Sequence, residues 1–121
     1  LLKYFTKYND WFYTPLLIPG AVTNWLAFPL TIKKGTPFTR YEFLKFLETK
    51  GIQTRVIFSG NITRHPIYKD LHYRSVGSLK NSDEIMANGL LLGCHHGMND
   101  SDVKYMIKSC EEFFKKFKTK N

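Results

Sequence analysis

The residues with the most chemical potential lie in the stretch GIQTRVIFSGNITRHPIY, residues 51–68. Ser59-Gly60-Asn61 has the make-up of an anion-holding turn, because Gly and Asn tolerate the left-handed conformations that point backbone N–H groups inward. Arg64 carries a guanidinium fork suited to phosphate or carboxylate. His65 precedes Pro66, which pushes the backbone there away from helix and toward an extended path. The stretch is not a P-loop: the chain contains neither GxxxxGK[ST] nor GxGxxG. On residue types alone it reads equally as a solvated loop and as a binding site.

A second group is Cys94-His95-His96. Adjacent strand residues point to opposite faces, so both histidines reach one metal only if the backbone turns there. The spacing matches no zinc pattern, and no metal site is assigned. A turn after a strand is the plain reading, with one ring, His96, on the rim of a ligand site as the functional one. No Ser-His-Asp pattern, paired carboxylates or activated cysteine stands out. The chain therefore offers ligand-contacting groups and no catalytic residue.

Elements must hold these groups. Thr39-Arg-Tyr-Glu42 is a capping-box pattern, with an apolar stripe of Phe43, Leu44 and Leu47 behind it and Gly51 at the helix end. A helix is predicted over 39–50. Residues 52–58 read as a strand, with Ile52, Thr54, Val56 and Phe58 on one face. The long connection 59–80 has no clear period, and such loops are usually functional or disordered. Tyr68, Leu71, Tyr73 and Val76 give it apolar anchors. Asn81 to Glu84 resembles a second cap, for a short helix ending at Gly89. Leu90 to Cys94 reads as a strand buried on both faces. Asn99 to Asp102 caps a final helix with the stripe Val103, Met106, Ile107, Cys110, Phe113, Phe114 and Phe117, and a frayed Lys-rich tail follows.

Upstream, residues 1–8 read as a helix end. Residues 10–18 read as an irregular or edge strand containing Pro15, closed by the turn Pro19-Gly20. Residues 24–32 read as a strand with Leu26, Phe28, Leu30 and Ile32 on one face. Pro29, lacking an N–H, argues for an edge or a bulge there. The predicted class is α+β, an α/β sandwich with one small mixed or antiparallel sheet covered by helices.

The 121 residues suit one domain, and the 43% hydrophobic and 23% charged content predicts a packed core rather than disorder. The net charge is +8. Residues 1–80 hold twelve Lys/Arg against four Asp/Glu, but no run of five basic residues occurs. Such a spread fits solubility first, a phosphate-bearing small molecule second, and nucleic acid last. Two cysteines without Cys-x-x-Cys suit a reducing cytosol. No signal peptide and no apolar run near the roughly 20 residues of a membrane span is visible. The absence of an initiating Met fits a chain that begins partway through a longer protein.

From Trp25 onward the sequence resembles the small C-terminal domain of the sugar aminotransferase family, which uses pyridoxal phosphate. The resemblance is strongest to the branch containing the CDP-4-keto-6-deoxyglucose 3-dehydrases of lipopolysaccharide O-antigen synthesis. It is carried by NWLAFPLTIKKGTPFTRYEFLKFLETKGIQTRVIFSGNITRHPIY and by NSDEIMANGLLLGCHHGMNDSDVKYMIKSCEEFF. The most specific block is Thr54 to Arg64, of the form T-R-x-x-F-x-G-N-x-T-R. The resemblance implies residues 1–23 as a lead-in from a large domain and 24–118 as the small domain that closes over a nucleotide-sugar site. It implies Arg55, Ser59, Asn61 and Arg64 as substrate contacts, with Gly60, His65 and His96 as rim positions. His65 departs from the Gln-like residue expected before the Pro, and Cys94-His95-His96 departs from a more aliphatic or Pro-containing turn.

The cofactor, pyridoxal or pyridoxamine phosphate, would be held by the large domain, together with the cofactor-linked Lys or its His replacement and any iron–sulfur cysteines. The implied parent is cytoplasmic and homodimeric, with a reductase partner if it is a 3-dehydrase. No membrane or nucleic-acid partner is expected. A sugar-nucleotide aminotransferase is the alternative within the family. A stand-alone basic module for phosphate or nucleic acid is the alternative outside it.

Overall fold

The computed structural model describes residues 1–23 and 25–118. Asn24, the expected first residue of the second strand, and the end of the Lys-rich tail lie outside them. Helix α1 (Leu2–Phe5) runs into a 3-10 turn (Thr6–Tyr8), followed by β1 (Phe12–Tyr13) and β2 (Ala27–Ile32). Then come α2 (Arg40–Thr49), β3 (Thr54–Arg55), two 3-10 turns (Ile62–Arg64 and Pro66–Tyr68), α3 (Lys80–Asn88), β4 (Gly89–Gly93) and α4 (Asp100–Lys118). The four strands form one sheet in the order β1-β2-β4-β3, and every neighbouring pair is antiparallel. The class is α+β, as predicted, and the sheet is antiparallel rather than mixed.

The register explains the core. Phe28 lies opposite Leu92 and Leu30 opposite Leu90, so period-two alternation sends all four to one face. That face is buried with Phe12 and Ile32, under Phe43 and Leu47 of α2 and Met106, Cys110, Phe113 and Phe114 of α4. Aromatic edges and faces interlock there, as in Phe38–Phe113 at 5.1 Å and Phe43–Phe113 at 5.2 Å between ring centroids. Each fully buried side chain of this size contributes about 1.5–3 kcal/mol of transfer free energy. Tyr4 and Phe5 of α1 belong to this same core.

Both long helices begin as their sequences predict. Glu42 N–H donates to Thr39 Oγ1 at 3.2 Å, and Thr39 N–H donates to Glu42 Oε2 at 2.7 Å. At α4, Asn99 Oδ1 accepts from the amides of Ser101 and Asp102, while Asp102 Oδ2 accepts from Asn99 N–H at 2.9 Å.

Four expectations need correction. Leu26 is 88% exposed rather than on the core face, because the chain bends there and pairing starts only at Ala27 opposite Gly93. Pro29 sits on a central strand, opposite Leu91. It is tolerated because β1 pairs only with Thr31 and Ile32, leaving no partner strand beside Pro29 on that flank. Helix α3 has no side-chain cap at Asn81, which lies inside the first turn. The helix is instead preceded by Leu79 in a left-handed conformation (φ +51°), whose carbonyl accepts from Asp83 N–H at 3.0 Å. Leu90 and Leu92 are fully buried, but Leu91 and Cys94 are only half-buried, so β4 is sealed on one face.

The predicted strand 52–58 is also cut short. Ile52 and Thr54 face inward as expected, while Val56 and Phe58 are exposed. Pairing ends at Arg55, the chain bends at Ile57, and Phe58 at φ +44° continues the turn away from the sheet. The polar cluster from Ser59 to His65 begins at that turn.

Candidate functional site

Past Phe58 the backbone stays in an unusual path. Gly60 N–H donates to Ile57 O at 3.1 Å and closes a tight turn. Gly60 has φ +60°, and a Cβ there would sit 2.6 Å from Met86 Cβ and 2.8 Å from Met86 Cα. Glycine is therefore required twice, by conformation and by contact with α3.

Asn61 follows and is 3% exposed. Its Oδ1 accepts from Thr63 N–H at 3.2 Å and Thr63 Oγ1 at 2.7 Å, and its Nδ2 donates to Asp83 Oδ1 at 2.6 Å. Arg64 grips the same carboxylate with Nε to Oδ1 at 3.0 Å and Nη2 to Oδ2 at 2.8 Å. The Arg64 fork beside it, with the Asn61 amide second, holds the Asp83 carboxyl at about 2, below its ordinary 3.8. The guanidinium is raised in turn, chiefly by its hydrogen bonds to Asp83.

Two further ties fix the loop and its support. His65 Nε2 lies 2.7 Å from Ser59 O. A carbonyl only accepts, so that nitrogen carries the proton. Arg40, at the start of α2, donates from Nη1 to Met86 O at 2.8 Å and Gly89 O at 3.1 Å. It thereby satisfies two carbonyls at the C-terminal end of α3. A cavity of about 210 Å³ opens here, lined by Arg40, Val56, Phe58, Ser59, Gly60 and His65 among others.

Arg55 stands apart on β3, opposite Leu91. Its Nη1 donates to Thr54 O at 2.8 Å, and the Gln53 amide, turned to present its oxygen, accepts from Nη2 at 2.7 Å. Thr54 is anchored behind it by Glu48 Oε1, which accepts from both its amide and its hydroxyl. Those bonds lower the Glu48 pKa, the backbone one foremost.

His96 is elsewhere. The loop 57–65 packs where α3 meets the Gly89 end of β4, whereas His96 follows the Gly93 end. There His95 Nδ1 accepts from Gly97 N–H at 3.1 Å, and Met98 N–H donates to His95 O at 3.0 Å. A shallow cavity of about 650 Å³ is lined by His95, His96, Cys94, Trp25, Leu26 and Thr23. The structure thus gathers Ser59, Gly60, Asn61, Arg64 and His65, leaves Arg55 to the side on the strand, and separates His96.

The chemistry of the gathered cluster is binding. Ser59 meets His65 through its carbonyl and not its hydroxyl, so the two do not form a nucleophile–base pair. Among the described residues no group of three or more His, Cys, Asp or Glu is placed to hold a metal ion. The sequence reading missed Phe58, Arg40, Asp83 and Met86. Asp83 was visible only as a helix-start acid, and its distance of nineteen positions from Arg64 hides the pairing.

A family model, the DegT/DnrJ/EryC1/StrS aminotransferase family, matches residues 11–111. The chain belongs to that family. Among its curated members, this DegT-family chain is 36% identical over 102 residues to the dTDP-4-dehydro-2,6-dideoxy-D-glucose 3-dehydratase of Saccharopolyspora spinosa, covering 84% of this chain and 22% of the relative. It is 37% identical over 91 residues to the lipopolysaccharide biosynthesis protein RfbH of Salmonella typhimurium, covering 75% of this chain and 21% of the relative. The chain therefore spans about a fifth of the length of these relatives.

In fold it is similar to the E. coli GDP-4-keto-6-deoxy-D-mannose-3-dehydratase with bound hydrated PLP. That match has a TM-score of 0.73 and 22% identity, over 88% of this chain and 28% of that one. The aminotransferase from Psychrobacter cryohalolentis matches with a TM-score of 0.82 at 9% identity, over 98% and 32% of the two chains. Among the described residues no helix is long and apolar enough to cross a membrane.

Proposed function

We propose that this chain is the substrate-closing small domain of a pyridoxal- or pyridoxamine-phosphate enzyme that removes the 3-hydroxyl of a CDP-4-keto-6-deoxyhexose for lipopolysaccharide O-antigen. Residues 1–23 lead in from the large domain in this reading, and 24–118 form the small domain. The observation that carries it is the identity above 35% to two curated proteins, one a sugar 3-dehydratase and one of lipopolysaccharide biosynthesis. The braced loop 57–65 supports it, because a fixed polar surface carrying Arg64, with Arg55 on the strand before it, suits a doubly phosphorylated sugar nucleotide.

Among the described residues no lysine lines the cavities at Trp25, at Gly51, at Phe58 or at Thr31. In this reading the groups that hold the cofactor belong to the rest of the parent. When bound there, its ring serves as the electron sink for loss of the sugar hydroxyl. This chain's part is orientation: Arg55 and the free edge of Arg64 bind phosphate, Ser59 bonds a hydroxyl, and the loop excludes water. The parent works in the cytoplasm as a homodimer, with a reductase partner for the 3-deoxy product.

The test uses the full-length protein. It is expected to purify with the cofactor's absorbance, and to convert CDP-4-keto-6-deoxyglucose to a product lacking the 3-hydroxyl when supplied with pyridoxamine phosphate and a reductase. An amino sugar formed with glutamate as donor would instead establish the sugar-nucleotide aminotransferase, the reading that the family's own description favours. Absence of both cofactor and turnover would refute both.

A further inference from the structure

Core packing does not account for an aromatic residue at position 58. Its backbone lies in the left-handed region at φ +44°, where an aromatic residue is strained and Gly or Asn would be at ease. Its ring is 79% exposed, so burial returns little for that strain. Yet the turn is not free to relax. The Gly60–Ile57 hydrogen bond closes it, Gly60 is pressed against Met86, and His65 Nε2 donates to the Ser59 carbonyl beside it. Three contacts thus hold a large apolar ring out at the edge of a cavity whose other walls include Ser59, His65 and Arg40. Backbone strain of this kind persists where surrounding structure over-determines it, and such positions cluster at ligand clamps.

We infer that Phe58 is a ligand-binding residue, a presented aromatic platform on which a flat face of the nucleotide-sugar substrate packs. This rests on the function proposed above and adds a contact it did not contain. Two parts of such a ligand share the chemistry of a flat face with polar edges: the C–H face of the sugar ring and the π face of the base. Ser59 and His65 line the same cavity as the ring, and the Ser59 hydroxyl and His65 Nδ1, which the bond between His65 Nε2 and the Ser59 carbonyl does not use, are able to bond those edges. The strained turn fixes the backbone that presents the ring, which lowers the ordering cost of binding.

The experiment replaces Phe58 in the full-length enzyme by Gly and by Tyr. Phe58→Gly relieves the backbone and removes the ring. Its melting temperature is expected unchanged or raised, while KM for the nucleotide sugar rises about ten-fold or more, in line with the usual loss of one stacking contact. Phe58→Tyr keeps the ring and is expected to restore KM to near the wild-type value. The inhibition constant of the bare nucleoside diphosphate identifies the partner. It rises together with KM if the base lies on the ring, and stays constant if the sugar does.

A lowered melting temperature for Phe58→Gly would overturn the platform, because the ring would then be packed against another part of the parent. So would an unchanged KM. A wild-type enzyme that does not turn over any nucleotide sugar would instead defeat the proposed function itself, which keeps the two failures distinct.

Discussion

The loop 57–65 and the turn 94–98 both follow strands of the same sheet, and both are rich in Gly, His and polar groups. They are held in different ways. The loop is braced to distant parts of the chain: Asn61 and Arg64 reach Asp83, and Gly60 rests on Met86. The turn is held by bonds within itself, from Gly97 and Met98 back to His95. Similar residue types therefore give a fixed surface in one place and a local turn in the other. The difference lies in where the hydrogen bonds go.

The two glycines break this comparison most sharply. Gly60→Ala places a Cβ against the backbone and Cβ of a helix residue at positive φ, and costs about 2 kcal/mol or more. Gly97→Ala meets only the His95 ring, at 3.1–3.2 Å; the ring must shift at the expense of its exposed bond from Gly97 N–H, and the effect stays within about 1 kcal/mol. Urea unfolding of the two variants checks the ranking, and equal losses would erase the distinction.

Asn61→Ala comes next. It removes a buried amide that serves both Thr63 and Asp83, and is expected to cost about 1–3 kcal/mol. Amide exchange should speed up at Thr63 and Arg64 while the 95–98 turn is unaffected. Uniform acceleration across the chain would show that the loop is not a separate brace.

The smallest effect is that of pH. The folded Asp83 carboxyl lies at about 2, below its ordinary 3.8. Its contribution is therefore fully present above pH 4 and is lost as pH falls through 2. Exchange protection of the 61–65 segment should decline over that window, and Asp83→Asn should flatten the decline. The pair is exposed, so added salt should shrink the effect.

These contrasts also mark what the sequence could reveal. The capping boxes at Thr39 and Asn99 and the stripe from Met106 to Phe114 are local patterns, with every partner within one or two turns, so they were legible. The alternation of Phe28, Leu30 and Ile32 was legible for the same reason, and failed at Leu26 where a bend interrupts the period. Phe58 fits an inward strand position by alternation. Only the turn beyond it, jammed onto α3 through Gly60, shows why it points out. The site cluster at Ser59 to His65 was visible as residue types. Its anchors Asp83, Met86 and Arg40 were not, because they lie nineteen or more positions away in sequence.

The central claim is that the braced loop, and not the histidine turn, is the surface that meets the nucleotide sugar. Hydrogen–deuterium exchange of the full-length enzyme, with and without CDP-4-keto-6-deoxyglucose, tests it most directly. Ligand is predicted to protect residues 57–65 and to leave 95–98 nearly unchanged. Protection confined to 95–98, with none in 57–65, would contradict the account.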